Sequence, residues 1–363
     1  MNETMPFVEF SGSDFEIGQQ LGEFSKDRLP RFMQAERVVA QREKVLKRPR
    51  MLSDSLRAAS DRYPRHLQEM SGIAAGAGVS LSEIFVFNWR PRPRAVATEK
   101  GGRPLGRRGS DPFFGPAPPA EGCTTLIVPT ADRVLVAHNE DWYTGTNDIF
   151  LARLHYDSGL EFLGVCYHGF LPGLSASING AGLVQALNNL TSSDGGAGVP
   201  LAFINRAVLE ATSLDEAVAV VTQTGRADSE NFVFAQGTRA VYVETSARDF
   251  EVVEVTTPTV HTNHFLVERL KVLEATERPG STQARHARAT AMLAALENPG
   301  PDDLRAILSS HEDVPLGICR HGREPTCDDY CDTLGTILID TADGGLEVCY
   351  GPPCRSAFRR FTM

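Results

Sequence analysis

The sequence predicts a layered α+β protein with antiparallel sheets and a helical segment at its N-terminus. Apolar residues recur at helical spacing between residues 14 and 89, whereas after residue 122 short runs with a period of two alternate with pairs of helices. Antiparallel hairpins that alternate with helix pairs favour a layered α+β fold over a parallel βαβ sheet.

The composition is that of a globular protein with a large core. Of the 363 residues, 42% are hydrophobic and 23% are charged, and no window approaches the roughly 18 consecutive apolar residues of a membrane-spanning helix. The N-terminus has neither the basic nor the apolar region of a signal peptide. We therefore expect a cytoplasmic protein with no membrane partner, in which the seven cysteines stay mostly reduced.

The net charge of −10 argues against nucleic acid as a partner, because phosphate binding needs a basic surface. The charge is uneven along the chain. Residues 1–122 carry 19 Lys and Arg against 15 Asp and Glu, whereas residues 123–363 carry 17 against 31. This asymmetry is either ordinary surface variation or a means of holding two parts together after a cut between them.

Residues 1–90 are predicted to form an N-terminal helical segment. A Gly-rich step from Gly72 to Gly78 is expected to end one helix, and Ser80 followed by Glu83 forms a capping box that opens the next. The apolar residues that define the helical faces are Phe15, Ile17, Leu21, Phe24, Leu56, Ala59, Tyr63, Leu67, Met70 and Ile73.

Residues 91–121 interrupt this pattern with seven Pro, five Gly and five Arg. Such a stretch has few apolar side chains to bury and is typical of a loop or linker. Its basic cluster of Arg103, Arg107 and Arg108 is interpreted as a solvated part of that loop. The sequence thus predicts three segments: a helical one over 1–90, a linker over 91–122 and a strand-rich one over 123–363.

Strands and helices alternate after the linker. Residues 124–128 and 134–138 form a predicted hairpin, and 179–182 form a turn. Further strands are predicted over 161–168, 174–178, 183–187, 231–236, 240–245, 250–255, 334–340 and 346–350. Helices are predicted over 200–211, 213–222, 266–276, 283–296 and 302–310.

Cys123 stands at the boundary between the linker and the first of these strands. A strand-initial cysteine is normally a small buried hydrophobe. However, Gly122 leaves the preceding carbonyl unhindered, and the linker supplies slack for two chain ends to separate. If the hairpin turn is centred near Asp132, Cys123 pairs with Asp141, which places a carboxylate beside the thiol.

This arrangement suggests self-cleavage between Gly122 and Cys123. The thiol attacks the Gly122 carbonyl, an N-to-S acyl shift forms a thioester, and water releases a new N-terminus. The freed α-amine, with an ordinary pKa of about 7.7–8.0, can accept the thiol proton, so that nucleophile and base belong to one residue. The alternative is a structural cysteine in an intact chain.

Four motifs resemble the acyl-coenzyme A:6-aminopenicillanic acid acyltransferase family of self-processing N-terminal-nucleophile (Ntn) enzymes. They are Gly122-Cys123-Thr124-Thr125, Asn139-Glu140-Asp141-Trp142, His261-Thr262-Asn263-His264-Phe265 and Gly351-Pro352-Pro353-Cys354. The resemblance implies an Ntn-hydrolase αββα sandwich, assembled from two fragments after cleavage before Cys123. The segment over 123–363 is then the catalytic one.

The resemblance also implies roles for four residues. Cys123 matches the nucleophile, Asp141 the acidic residue that positions it, Asn263 the side-chain amide that donates to the oxyanion, and Arg320 an arginine near the active site. Without the family, Asp141 could cap the end of the hairpin. Asn263 could then serve a turn or a metal site, and Arg320 could be a surface residue.

Five cysteines lie close together near the C-terminus: Cys319, Cys327, Cys331, Cys349 and Cys354. The spacing within the pairs 327/331 and 349/354, with His321 nearby, is loosely like that of a metal site. A zinc site, a disulfide or redox pair, and reduced structural thiols are all open, and the expected location favours reduced thiols. No metal ligand is assigned.

The sequence therefore predicts a self-processing enzyme that cleaves or transfers the acyl group of small non-peptide amides through a Cys123 thioester. Its expected partners are a small-molecule amide or acyl donor and its own N-terminal fragment, and no cofactor is required. Whether the acyl group passes to water or to an amine depends on whether the acceptor pocket excludes water. The alternatives are an N-acyltransferase of secondary metabolism that uses an acyl-coenzyme A thioester, and a non-catalytic binding or metal-stabilised protein with structural cysteines.

Overall fold

In a computed structural model, two β-sheets lie face to face between two layers of helices. The structure describes residues 4–34, 39, 42–43, 45–89, 122–143, 148–223, 225–274, 281–312, 317–321 and 331–363. The predicted linker over 91–121, with its arginine cluster, lies outside the described residues, and so does Cys327.

The larger sheet has eight strands. They are β1 Phe7–Gly12, β4 Ile149–Tyr156, β5 Glu161–Tyr167, β6 Ser177–Asn179, β7 Val184–Asn189, β8 Glu230–Gln236, β9 Arg239–Thr245 and β10 Phe250–Glu254. Their order across the sheet is β1-β4-β5-β6-β7-β8-β9-β10. β1 runs parallel to β4, and the other neighbours are antiparallel.

The smaller sheet has six antiparallel strands. They are β2 Gly122–Pro129, β3 Val134–Tyr143, β11 Thr259–His261, β12 Cys331–Asp340, β13 Gly345–Tyr350 and β14 Arg359–Thr362. Their order is β11-β2-β3-β12-β13-β14. β2, which begins at Gly122, and its hairpin partner β3 are interior strands of this sheet and contact strands β7 and β8 of the larger one.

The described helices cover the outer faces of both sheets. They are α1 Asp14–Ser25, α2 Leu29–Met33, α3 Pro49–Arg62, α4 Pro64–Ala77, α5 Leu81–Asn88, α6 Leu201–Val208, α7 Leu214–Gln223, α8 Glu268–Lys271, α9 Ser281–Ala294 and α10 Pro301–Leu308. Helix α1 contacts β1 and β4, and α7 contacts β8 and β9, whereas α9 and α10 contact the smaller sheet. The predicted α+β class and αββα sandwich are therefore confirmed.

The alternation of side chains along β2 shows how the sequence builds these layers. Leu126 and Val128 belong to the apolar cluster that joins the smaller sheet to α9 and α10. Ile127, between them, belongs to the main core, which includes the larger sheet. A period of two thus sends alternate residues to opposite faces, so a residue's position in the strand fixes which layer it meets.

Helices α1 and α4 pack so closely that only glycine fits between them. A Cβ on Gly18 would lie 2.0 Å from the backbone oxygen of Glu69, and one on Gly72 would lie 2.1 Å from that of Phe15. The Gly-rich step from Gly72 to Gly78 ends a helix as predicted, but only at its last residue, because Gly72 and Gly76 lie inside α4 and serve this contact. The helix ends at Gly78, which adopts a φ of +71°.

Four strands and one helix differ from the sequence prediction. Strands β1, β4, β11 and β14 were not predicted, and two of them have only three or four residues, too few to establish a period. The predicted helix over 266–276 is described as far as residue 274, and within that part only the four residues of α8 are helical. The capping box of Ser80 and Glu83 at the start of α5 is confirmed.

Among the described residues, no single helix combines the length and the apolar composition needed to cross a membrane. Only α4 and α5 taken together meet that criterion, and the two are bent by 118° relative to each other.

Candidate active site

The β2–β3 hairpin decides which side chains surround Cys123. In the ladder, Cys123 lies opposite Glu140 and Gly122 lies opposite Asp141. The prediction that Cys123 pairs with Asp141 is therefore wrong by one residue. Since a shift of one residue turns a strand side chain to the other face, Glu140 and not Asp141 is the carboxylate directly across from the thiol.

The register follows from the length of the turn. Pro129 pairs with Val134, and the backbone N–H of Thr130 donates to the oxygen of Arg133 over 2.8 Å. The loop thus has four residues, and its centre falls between residues 131 and 132 rather than at Asp132. A composition rich in turn residues predicts such a turn but leaves its centre undefined by one residue.

The thiol of Cys123 is buried and protonated in the intact chain. Its Sγ lies 3.8 Å from Oε1 of Glu140. Burial raises the pKa of Cys123 well above its usual value, and the charges of Glu140 and Asp141 raise it further, against smaller lowering effects of an Asp141 backbone hydrogen bond and of Arg285. The sulfur can therefore attack only if its proton is passed on to another group.

Glu140 is the centre of a buried hydrogen-bond network between the two sheets. Its Oε1 accepts a hydrogen bond from the hydroxyl of Tyr167 over 2.7 Å, and its Oε2 accepts one from Ser175. Nε2 of His138 lies 3.2 Å from Oε2. His138, for which the sequence suggested no role, thus belongs to the surroundings of the thiol. These partners fix the carboxylate in place.

Asn263 contacts the peptide unit that begins at Cys123. The backbone N–H of Cys123 donates to Oδ1 of Asn263 over 2.8 Å, and Nδ2 of Asn263 donates to the backbone oxygen of Asn189 over 3.1 Å. The side chain lies just beyond β11, in a segment held by a hydrogen bond from its own N–H to Thr282. An amide nitrogen carries two N–H groups, so Asn263 can hold Asn189 and also donate to an oxyanion.

Arg285, on the first turns of α9, is a site residue that the sequence analysis missed. Its Nη1 donates to the carbonyl oxygen of Cys123 over 2.7 Å and to Oγ1 of Thr124 over 2.9 Å. Its Nη2 donates to Oδ1 of Asn263 over 2.9 Å. The side chain is fully buried. No motif includes it, and only a charged residue on the apolar face of a predicted helix could have indicated it.

Two guanidinium groups lie against Gly122. A Cβ on this residue would be 2.7 Å from Nη1 of Arg320 and 3.1 Å from Nη2 of Arg285. Arg320 is buried, so the surface alternative for it does not hold. Its backbone is fixed by a hydrogen bond from its N–H to the hydroxyl of Thr333, at 2.9 Å. Glycine at residue 122 thus leaves room for two positive charges beside the bond to Cys123.

Asp141 lies on the face of β3 that is opposite to Glu140. Its Oδ1 accepts a hydrogen bond from the hydroxyl of Thr333 over 2.6 Å, and Oδ2 has no hydrogen-bond partner within the described part of the chain. Burial raises the pKa of Asp141 to about 6, against the lowering effects of Arg320 and Arg285. Asp141 therefore changes charge near neutral pH.

The histidines that flank Asn263 have other partners. Nε2 of His261 lies 2.8 Å from a carboxylate oxygen of Glu244, and Nδ1 of His264 lies 2.9 Å from the hydroxyl of Thr282. In the described part of the chain, neither histidine belongs to a group of side chains that could hold a metal. The metal-site alternative for this motif thus receives no support.

The αββα sandwich, whose neighbouring strands are antiparallel except for β1 and β4, is the architecture of the Ntn-hydrolase fold class that the sequence motifs implied. A family model described as acyl-coenzyme A:6-aminopenicillanic acid acyl-transferase matches residues 128–355. The chain belongs to this family, as the sequence motifs predicted. The match begins five residues after Cys123 and includes Asp141, Asn263, Arg285 and Arg320.

Two curated relatives are similar to the chain. It is 26% identical over 253 residues to the beta-alanyl-dopamine/carcinine hydrolase of Drosophila melanogaster, covering 64% of this chain and 62% of that relative. It is 26% identical over 308 residues to the acyl-coenzyme A:6-aminopenicillanic-acid-acyltransferase 40 kDa form of Emericella nidulans, covering 84% and 80%. The chain thus spans less than two thirds of the length of the first relative.

Two solved structures resemble part of the chain. One is a mutant form of the conjugated bile acid hydrolase from Clostridium perfringens, with 13% identity, a TM-score of 0.46 and coverage of 66% of this chain and 97% of that one. The other is penicillin V acylase from Agrobacterium tumefaciens, with 14% identity, a TM-score of 0.44 and coverage of 66% and 86%.

Proposed function

We propose that the chain cuts itself between Gly122 and Cys123, and that the freed Cys123 then cleaves or transfers the acyl group of small non-peptide amides. The observation that carries the proposal is the set of buried polar groups around this one peptide unit. Its N–H is bound by Asn263, and Arg285 and Arg320 lie against Gly122. A structural cysteine needs none of these buried polar groups.

Self-cleavage begins when the Cys123 sulfur attacks the carbonyl carbon of Gly122. Negative charge develops on the carbonyl oxygen, in the field of the two guanidinium groups that lie against Gly122. The C–N bond then breaks, the thiol proton goes to the departing nitrogen, and a thioester remains. Water hydrolyses the thioester, leaving a Gly122 carboxylate and a Cys123 with a free thiol and a free α-amine.

The freed α-amine is well placed to act as the base. Oδ1 of Asn263, which accepts from this nitrogen in the intact chain, can accept from the amine as well. The positive charge of Arg285, which is hydrogen-bonded to the same Oδ1, disfavours protonation of the amine. A neutral amine can take the proton of the thiol. Asp141 and Glu140 then serve to position the nucleophile from either face of β3.

The substrate class is a small amide whose acyl group forms a thioester with Cys123. Similarity to a beta-alanyl-dopamine/carcinine hydrolase supports transfer of that group to water. The family description and the Emericella nidulans relative instead favour the second candidate function, in which an amine is the acceptor and an acyl-coenzyme A is the donor. In both cases the N-terminal fragment stays with the catalytic segment after the cut.

The intact mass of the purified protein tests self-cleavage. We expect fragments of roughly 13 and 26 kDa by proportion of chain length, and a whole chain for Cys123→Ala. Cys166→Ala is the matched control, because Cys166 is also buried but lies on β5 of the larger sheet, whereas Gly122 begins β2 of the smaller one. A wild-type protein that is folded and stays whole would contradict the proposal.

Turnover assays on the cut protein separate the two acyl acceptors. Carcinine alone tests hydrolysis, and 6-aminopenicillanic acid with an acyl-coenzyme A tests transfer. A covalent adduct on the Cys123 fragment, with the mass of the acyl group, is expected with either donor. If the cut protein turns over neither class and forms no adduct, self-cleavage serves maturation alone and the enzymatic part of the proposal is wrong.

A further inference from the structure

Four side chains converge at the edge of the catalytic segment, and we call them the His/Cys cluster: His311, Cys319, His321 and Cys354. His311 follows α10, and Cys354 lies in the turn after β13. Cys319 and His321 flank Arg320. One donor atom from each of the four lies within 4.8 Å of every other. Three separate parts of the chain therefore bring their nitrogen and sulfur atoms to one point.

Hydrogen bonding explains only part of this convergence. Nε2 of His321 lies 2.8 Å from Nε2 of His311, 3.5 Å from Sγ of Cys319 and 3.4 Å from Sγ of Cys354. A ring nitrogen offers either one N–H or one lone pair, so it can form one strong hydrogen bond with these three neighbours. Two of the contacts need another explanation.

A tetrahedral cation at the centre of the cluster would satisfy all four atoms at once. Zinc binds histidine nitrogen at about 2.0–2.1 Å and cysteine sulfur at about 2.3 Å, which places the ligand atoms roughly 3.3–3.8 Å apart. The contacts from His321 to the two sulfur atoms lie within that range. The contact between the two histidines is shorter, and a central ion would open it by about half an ångström.

We infer that the His/Cys cluster is a structural zinc site with a Cys2His2 ligand set. Thiolates are soft ligands and neutral imidazoles are borderline ones, and this combination selects zinc over hard cations such as magnesium or calcium. Two thiolates also balance the charge of the ion, which suits a site where Cys319 is buried. Zn²⁺ binds as the two neutral thiols lose their protons. The products are a site with no net charge and two released protons.

This ligand set differs from the cysteine pairs that the sequence spacing suggested. Cys349 was paired with Cys354 in that spacing, but its thiol donates to the backbone oxygen of Gly351 at 3.6 Å and it lies outside the cluster. Cys319 and His311 take part instead. They are close to Cys354 only through the tertiary structure, in which Arg305 of α10 forms an ion pair with Glu347 of β13, and local spacing does not reveal this.

The site would fix the segment that carries Arg320. This segment is also held by hydrogen bonds of its backbone. The N–H groups of Cys319 and Arg320 donate to the oxygen of Ser310 and to the hydroxyl of Thr333, and the oxygens of Ile318 and Arg320 accept from Nδ2 of Asn139 and the N–H of Thr333. Ligands on both sides of Arg320 would hold its guanidinium against Gly122. Four protein ligands leave no open position on the zinc ion for substrate. The role of the ion is therefore to position Arg320. This consequence rests on the proposed function.

Metal content of the full chain tests the inference. The protein is purified without chelator under reducing conditions, and zinc is measured by mass spectrometry with inductively coupled plasma. We expect one zinc ion per chain, its loss in the double variant Cys319→Ser/Cys354→Ser, and its retention in the control Cys349→Ser. Wild-type protein reconstituted with cobalt(II) alone should show thiolate-to-cobalt charge-transfer absorption, a readout that needs no variant.

Three results would overturn the inference. They are wild-type protein with reduced thiols that takes up no zinc, zinc that the double variant retains, and a disulfide between Cys319 and Cys354 in freshly isolated protein. These readouts hold whether or not the chain cuts itself. If zinc is present and self-cleavage is observed, removal of zinc with a chelator should slow the cut. An unchanged rate would refute the positioning of Arg320 and leave the metal site intact.

Discussion

Nη1 of Arg285 donates a hydrogen bond over 2.7 Å to the carbonyl oxygen of Cys123, a residue 162 positions earlier in the chain. The same guanidinium holds Oδ1 of Asn263, which in turn accepts from the N–H of Cys123. One side chain on α9 thus orients both sides of the candidate nucleophile. Helix α9 packs on the outer face of the smaller sheet, so the packing of this layer positions the site.

Arg285→Lys is expected to slow self-cleavage about ten- to hundredfold. Lysine keeps the charge but cannot make the two divergent hydrogen bonds, and a hydrogen bond to a charged group contributes about 1.5–3 kcal/mol. The uncut fraction is followed with time by intact mass during refolding. Arg288→Lys, on the same helix but paired with Glu312, is the control and should cut at the wild-type rate. Equal rates for both variants would argue against a role for Arg285.

Gly122→Ala is expected to fold and to cut about tenfold more slowly or worse. The new Cβ must displace Nη1 of Arg320 and Nη2 of Arg285. These are the ends of long side chains, so the fold can adjust, but misplacement of such groups by about an ångström costs up to a hundredfold in rate. Gly196→Ala, where a Cβ meets nothing within 4 Å, is the matched control. A wild-type rate for Gly122→Ala would mean that the guanidinium groups do not act at this bond.

Glu140→Gln is expected to make the Cys123 thiol ionise at lower pH. The negative charge of Glu140 raises the pKa of Cys123, and glutamine removes the charge at nearly the same size. Its amide oxygen can accept from one of the hydroxyls of Tyr167 and Ser175, and its NH2 group can donate to the other. The rate of alkylation of Cys123 by iodoacetamide, measured against pH, should shift to lower pH. Glu161→Gln, on the exposed part of β5, controls for the change in net charge. A shift to higher pH would show that Glu140 does not act on the thiol through its charge.

Self-cleavage is expected to accelerate as the pH rises through about 6. Burial raises the pKa of Asp141 to about 6, so its carboxylate form, which pairs electrostatically with Arg320 and Arg285, is depleted below that pH. The variant Asp141→Asn has no group to titrate and should be slow, without this inflection. A persistent inflection in the variant would assign it to another group.

Local patterns in the sequence are sufficient to predict most of the fold, because hairpins and capping boxes depend on residues that are close together in the chain. The motif around Asn263 predicted a side chain that the structure places 2.8 Å from the N–H of Cys123. Two features of the site could not be predicted from local patterns. The register of Cys123 against Glu140 depends on one residue in a turn, and the contact of Arg285 depends on how a distant helix packs on the sheet. Both are properties of tertiary structure.

His168, which directly follows β5, joins the catalytic segment to the predicted N-terminal segment. Its Nδ1 lies 2.9 Å from the hydroxyl of Ser25, at the end of α1, and its Nε2 lies 3.2 Å from Nη1 of Arg28. Burial and the charge of Arg28 lower the pKa of His168 to about 4, against an opposing effect of Asp148. The folded protein therefore holds a neutral histidine at this contact.

Stability is consequently expected to fall in acid because of His168. Between the folded pKa of about 4 and the ordinary value of about 6.5, the unfolded chain binds a proton that the folded chain does not, so the free energy of unfolding decreases as the pH falls through this window. The full effect is about 3 kcal/mol. Urea denaturation of wild type and His168→Asn at about pH 7 and about pH 4.5 measures the contribution of His168. The comparison isolates this residue because the other groups titrate in both proteins. The variant should lose less stability in acid than wild type, whereas the control His155→Asn, at a half-exposed site on β4, should lose as much. Equal acid sensitivity of wild type and His168→Asn would show that this histidine does not couple the two segments to pH.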